Sequence, residues 1–373
     1  MVRLMLVTVP QALTPQSAVC LQAVGCTLNK MATDSSDVIS AFTLRVLEMV
    51  IYCGVMPVLM LVGIVTNSLS CIVFYRLGLR GRINLCLLLL SLSDLIFLIL
   101  QTSIRLTLVT LTSLHGRLGT SVWQHTVTKY HIVRKATLFL FMSNFLTTVA
   151  AVERLVSILS PLKARNSCSL KVVVVGIASV FILLVGYFIM NGFEFEVSCF
   201  YDMELSTVLY EIGSSSFYLA HAVFFDTLDN IVVVFGFPVL SLLLVTVCTV
   251  VIKHRLRSAN SWRQEVTGSQ SQGGMTMSKA EAKLHRMLVA VCCLHIVCVL
   301  PAILKDTLKF WPEFSLTSRF GNLFNTIVAV KDVAASVNCA FRFVFYVTQG
   351  SQFRGALLSL LGRRKSTSSQ VAG

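Results

Sequence analysis

Residues 152–164 read VERLVSILSPLKA, with Glu153 and Arg154 side by side at the end of a run that is almost free of charge, then Ser-Pro-Leu and a basic stretch. Charged side chains are costly where water is scarce, so the setting of this pair decides what kind of chain carries it. The 373 residues are 55% hydrophobic and 13% charged, with a mean hydropathy of +0.79. That is too apolar for a soluble domain to cover with polar surface. The chain reads as a membrane protein, and the pair as standing at a membrane edge.

A spanning helix needs about 20 mostly apolar residues. Seven runs of that size occur, at about 47–76, 83–111, 127–160, 170–191, 229–256, 281–306 and 319–347. The third and seventh qualify when polar residues line one side of the helix, as a bundle-facing surface permits. Lys and Arg near the span ends orient the chain. Arg76, Arg80 and Arg82 follow the first span, Lys163, Arg165 and Lys171 the third, and Lys253, Arg255, Arg257, Arg263 and Lys279 the fifth. Those loops are cytoplasmic, so the N-terminus is outside. The C-terminal tail adds Arg354, Arg363, Arg364 and Lys365, whereas residues 192–229 hold seven acids and no Lys or Arg. The acids are Glu194, Glu196, Asp202, Glu204, Glu211, Asp226 and Asp229. Most of the +14 net charge is this inside bias, which leaves little support for a nucleic-acid partner.

The expected architecture is all-α: a seven-helix membrane bundle over 47–347, an extracellular segment over 1–46, and an inner-leaflet helix with a short cytoplasmic tail over 348–373. Met31 offers a second start, so residues 1–30 read as a tail or as sequence outside the mature chain. Near the other end, Phe353, Leu357, Leu358 and Leu361 recur at helical spacing among basic residues. That pattern suits a helix lying on membrane lipids.

Motifs spread over six spans then give the chain a resemblance to the rhodopsin-like (class A) G-protein-coupled receptors, covering roughly Gly54 to Gly362. Asn67 stands in GIVTN of the first span and Asp94 in LSLSD of the second. Glu153-Arg154-Leu155 is followed by Pro161-Leu162, Pro238 ends FGFP in the fifth span, Cys298 and Pro301 bound CVLP in the sixth, and Tyr346 precedes Phe353 by seven residues. The degenerate motifs also resemble those of invertebrate peptide or chemosensory receptors.

The resemblance implies a multi-pass receptor in the plasma membrane, with an extracellular ligand, a heterotrimeric G protein and arrestin as partners, and no cofactor. It implies that Glu153 and Arg154 form a switch with Glu281 and Tyr346, and that helix 6 moves outward when the switch opens. The plainer reading is that Glu153 and Arg154 mark the lipid–water boundary. Pro238 and Pro301 would bend their helices. Asp94 lies about 15 Å from the inner end of its helix, deep in the bilayer, where an ionisable group needs a partner. The resemblance places it among Asn67, Ser143 and helix 7 residues, often with a sodium ion. A protonated Asp94 hydrogen-bonded to Ser143 and Asn338 would need no ion.

Helix 7 departs from the family pattern, because Arg342 and Phe343 stand where Asn-Pro is usual. Phe343 keeps a backbone hydrogen bond that proline would remove. Arg342 either snorkels to the inner leaflet or pairs with Asp94 in the sodium position, each charge relieving the other. Val299 and Thr246 replace a usual tryptophan and tyrosine, and the extracellular cysteine of helix 3 is absent. Cys199 is left single, with Cys20–Cys26 or either of them to Cys199 as the bridges open to it.

Other chemistries fare less well. In CCLHIVC, Cys292 and His295 share a helix face but Cys298 is turned by about 240° from Cys292, which disfavours a metal site. No nucleophile elbow, zinc-hydrolase or phosphate-loop motif occurs, so no enzyme is expected. A transporter is the rival, since Asp94, Arg154, Lys331, Asp332 and Arg342 are ionisable within spans, but inverted repeats are not detectable. A non-signalling orphan or decoy receptor is the variant reading. Ala136 and Thr137 disfavour an amine ligand, and Ser336 disfavours retinal. Peptides, lipids and odorants remain, and the acidic outer loop favours a basic peptide. Arg134, Thr137, Glu194, Asp306, Lys331 and Asp332 are the residues expected around it.

Overall fold

The computed structural model describes residues 37–79, 81–114, 122–159, 170–202, 207–266, 279–308, 310–311, 313–314 and 319–362; within these, no side chain is described at 41, 45, 104–114, 122–135, 195, 197–202, 207–213, 233–235, 256–257, 259–266 and 279–282. Seven long helices appear in chain order. The first, α1, runs through Ala41–Met49, a π-helical Val50–Val55 and Met56–Leu77. It is followed by α2 (Arg82–Leu114), α3 (Val122–Leu159) and α4 (Leu170–Met190). The fifth, α5, runs through Ala222–Asp229, a π-helical Asn230–Val239 and Leu240–Val266. Then come α6 (Lys279–Leu308), α7 (Gly321–Gln349) and a short α8 (Ser351–Leu360).

Six of the seven are long and apolar enough to cross a membrane. The remaining one, α7, has the length but carries Asn322, Asn325, Lys331, Asp332, Asn338 and Arg342 along it. Lipid cannot satisfy such groups, so α7 must turn them inward. The packing does this: α1, α2, α3, α5, α6 and α7 close into a ring, α4 lies outside on α3, and α8 folds under α1 and α7. Exposed apolar side chains such as Leu61, Ile182, Leu183 and Val247 then face outward, as lipid-facing positions should.

Both π-helical stretches end beside a proline, at Pro57 and Pro238. A proline has no N–H to return to the carbonyl four residues back, and a wider turn absorbs the mismatch. The wide turn also selects Gly236, where a Cβ would lie 2.6 Å from the Ile231 carbonyl oxygen. In contrast α7, with Phe343 where proline was usual, is α-helical throughout.

Two features depart from the expected layout. The loop after α4 contains an antiparallel hairpin, β1 (Phe195–Asp202) with β2 (Thr207–Ser214), so the outer face is not wholly helical. The fifth span also begins at Ala222 and not near 229, because AVFFDTLD is itself amphipathic. Asp226 and Asp229 therefore belong to a helix and not to an open loop.

Candidate functional site

The polar core lies where α2, α3 and α7 meet. On α3, Ser143 and Thr147 are one turn apart and share a face; on α7, Cys339 and Arg342 are three apart and do the same. Between them stands Asp94 of α2, fully buried. One guanidinium nitrogen of Arg342, Nη1, donates to Asp94 Oδ2 at 2.5 Å and to Ser143 Oγ at 2.8 Å, and Nη2 donates to Thr147 Oγ1 at 3.3 Å. Ser143 Oγ donates to Asp94 Oδ1 at 2.6 Å, and Cys339 Sγ to the same oxygen at 3.3 Å. Arg342 thus turns into the bundle, with its side chain 1% exposed, and does not snorkel to the inner leaflet.

Asn67 and Asn338 do something else. Asn67 Nδ2 donates to the carbonyls of Gly63 (2.9 Å) and Cys339 (3.0 Å), tying α1 to α7. Gly63 also sits close to α2, where a Cβ would lie 2.5 Å from Leu98 Cδ1 and the leucine would have to shift. The Asn338–Asp94 hydrogen bond of the ion-free alternative is not made among the described residues, where the Asn338 Oδ1 is buried without a partner. Asp94 is already engaged there, its Oδ2 by Arg342 and its Oδ1 by Ser143 and Cys339.

Beside this core, toward α5 and α6, Thr148 and Ser241 share a 2.7 Å hydrogen bond, and Ser241 Oγ lies 3.4 Å from His295 Nε2. This second polar link, joining α3, α5 and α6, was not legible in the sequence. Single hydroxyls in apolar runs are common, and His295 was conspicuous only through its cysteine neighbours.

At the inner rim Glu153 is shared. Its Oε2 lies 3.2 Å from Arg154 Nε, and its Oε1 lies 3.6 Å from Arg82 Nη2 and accepts from Ser157 Oγ at 3.2 Å. The Glu281 side chain, and with it the expected Arg154–Glu281 contact, lies outside the described residues. Tyr346 is buried in an aromatic cluster, edge-on to Phe74 at 5.2 Å and against Phe353 at 5.5 Å, with Phe343 at 5.8 Å from Phe353. This cluster fastens α8 beneath α1 and α7. Beside it a cavity of about 280 Å³ is walled by Phe74, Leu77 and Leu87 on one side and by Leu284 and Met287 of α6 on the other.

The outer-rim charges are largely paired. Lys305 meets Asp306 at 2.5 Å, and Lys331 meets Asp332 at 2.8 Å, with Tyr52 Oη donating to Asp332 at 3.3 Å. Tyr187 Oη (2.5 Å) and Asn191 Nδ2 (3.3 Å) donate to Asp229. Tyr218 donates to Asp226 at 2.6 Å, and that hydrogen bond, with partial burial, pushes the phenol up to about 12. Thr137 is half-buried on α3 and Glu194 half-buried before the hairpin, while the Arg134 side chain lies outside the described residues. Asp37 was not anticipated: its carboxylate accepts the Asn322 backbone N–H at 2.6 Å, capping α7 in place of Phe320. That position suits an anion.

Comparison with known families agrees with this architecture. The family described as 7 transmembrane receptor (rhodopsin family) matches residues 66–342. The chain belongs to that family and is a multi-pass G-protein-coupled receptor; members of the family are receptors rather than enzymes, which implies an extracellular ligand and a G protein as partners. No curated protein matches it.

Proposed function

We propose that this receptor answers an extracellular peptide of basic character at the plasma membrane, and signals by outward movement of α6. The observation that carries the ligand class is the hairpin register. Glu196 pairs with Gly213, Ser198 with Glu211, Phe200 with Leu209 and Asp202 with Thr207. Alternation along a strand puts these residues on one face, so three acids share it. Asp226 and Asp229 are engaged within the protein, as are Asp306 and Asp332 on the deeper rim, so this reading assigns the steering charge to the hairpin. The movement is supported by the inner cavity, because Leu284 and Met287 of α6 form one wall of it. Displacing α6 outward would widen that cavity toward the cytoplasm.

A peptide library tested on cells expressing the chain, with G-protein recruitment as the signal, decides the ligand class. Activation confined to neutral lipids or odorants would overturn the peptide reading. For a cationic peptide hit, neutralising Glu196, Asp202, Glu204 and Glu211 together is expected to slow association and flatten its salt dependence. Dissociation should change less, since long-range attraction acts on encounter. Unchanged association at low salt would remove the steering role.

A further inference from the structure

The family resemblance brings with it a sodium ion near Asp94, and the residues around this carboxylate do not fit one. A small hard cation needs several oxygen ligands left open to it. Here Asp94 Oδ2 is taken by Arg342 Nη1, and Asp94 Oδ1 by Ser143 and Cys339. Ser143 Oγ, which already donates to Asp94, also accepts from Arg342, and Thr147 Oγ1 accepts from the other guanidinium nitrogen. Asn67 spends its amide hydrogens on two backbone carbonyls. A free cation entering this cluster would add a second positive charge to one buried carboxylate and would face the guanidinium directly.

We infer that Arg342 is the tethered counter-ion of Asp94 and closes this site to sodium. The guanidinium is planar and holds several donors in a fixed fork, so one side chain reaches Asp94 and Ser143 through one nitrogen and Thr147 through the other. The same contacts join α7 to α2 and α3, which a diffusing ion would do only while bound. Arg342 cannot leave, so the junction should ignore the ionic composition of the medium. The inference stands on the core geometry and needs neither the peptide reading nor signalling.

Thermal unfolding of the purified full chain tests it without any ligand. The wild-type midpoint should be unchanged when sodium chloride is replaced by choline chloride at constant ionic strength. Arg342→Asn leaves Asp94 without its cation, and its midpoint should stand at least about 2 °C higher in sodium than in choline, since an ion that binds the folded state stabilises it. The double variant Asp94→Asn with Arg342→Asn should lose that response. A sodium-specific rise in the wild type would overturn the inference, as would a folded Arg342→Asn protein indifferent to sodium. Arg342→Gln gives the same comparison if the asparagine variant does not fold. If neither folds, the wild-type pair of measurements decides alone, its indifference supporting the inference.

Discussion

Arg342→Asn is expected to lower the ratio of folded to unfolded receptor by about a hundredfold or more, read as surface-expressed protein and as loss of thermal midpoint. Removing one partner of a buried pair costs about 3–5 kcal/mol, because the other charge stays behind without compensation. Asp94→Asn should do comparable harm by stranding the guanidinium among Ser143 and Thr147. The double change leaves two neutral amides near Ser143, and part of the loss should return. Additive losses in the double-mutant cycle would mean that the 2.5 Å contact contributes nothing beyond its parts. Strong non-additivity is the signature of the pair. The effect is large because both side chains are essentially inaccessible, so water cannot screen the orphaned charge.

The ion pair is a case where local chemistry could be read without coordinates. A carboxylate and a guanidinium within apolar spans each carry a heavy desolvation cost, so their pairing followed once the spans were aligned by motif. Ser143 entered by the same alignment. Thr147 and Cys339 did not, because short polar side chains occur throughout these spans and only the facing of the helices selects two of them. Asn338 shows the opposite failure. It stands one helical turn from Arg342, yet both Asp94 oxygens are taken by Arg342, Ser143 and Cys339, an occupancy that no sequence spacing shows.

The outer face was less legible for a different reason. An acidic stretch says how much charge it holds but not which acids are consumed within the protein. Asp229 became a structural acceptor for Tyr187 and Asn191 only because α5 starts at Ala222. The Asp37 cap is similar: it joins residues 37 and 322, and nothing local to either marks the contact. The hairpin had no strong signal of its own, since β propensity depends on context more than helix propensity does. Long helices with uniform apolar character were readable, while elements whose form depends on distant partners were not.

The inner rim gives a prediction with two arms of opposite sign, both resting on the proposed switch. Glu281→Ala should raise ligand-independent signalling several-fold at matched surface expression, because the resting state loses an acid that would hold Arg154 to α6. Arg82→Ala should lower it. Arg82 and Arg154 both draw on Glu153, at 3.6 and 3.2 Å, and a carboxylate released from one cation binds the other more firmly. With the side chains of Glu153 and Arg154 at 10% and 13% exposure and Arg82 at 22%, the site is a part-buried edge and not a sealed core like that around Asp94. Each pair there is worth about 1 kcal/mol or less, which limits either change to about fivefold. Glu153 should also keep Ser157 as a donor in the Arg82 variant, so the carboxylate remains in place. G-protein recruitment without ligand, measured beside surface labelling of the same cells, reads both arms. Unchanged basal activity in Glu281→Ala would count against the α3–α6 switch, and a rise in Arg82→Ala would show that Arg82 restrains the resting state directly, not by competing for Glu153.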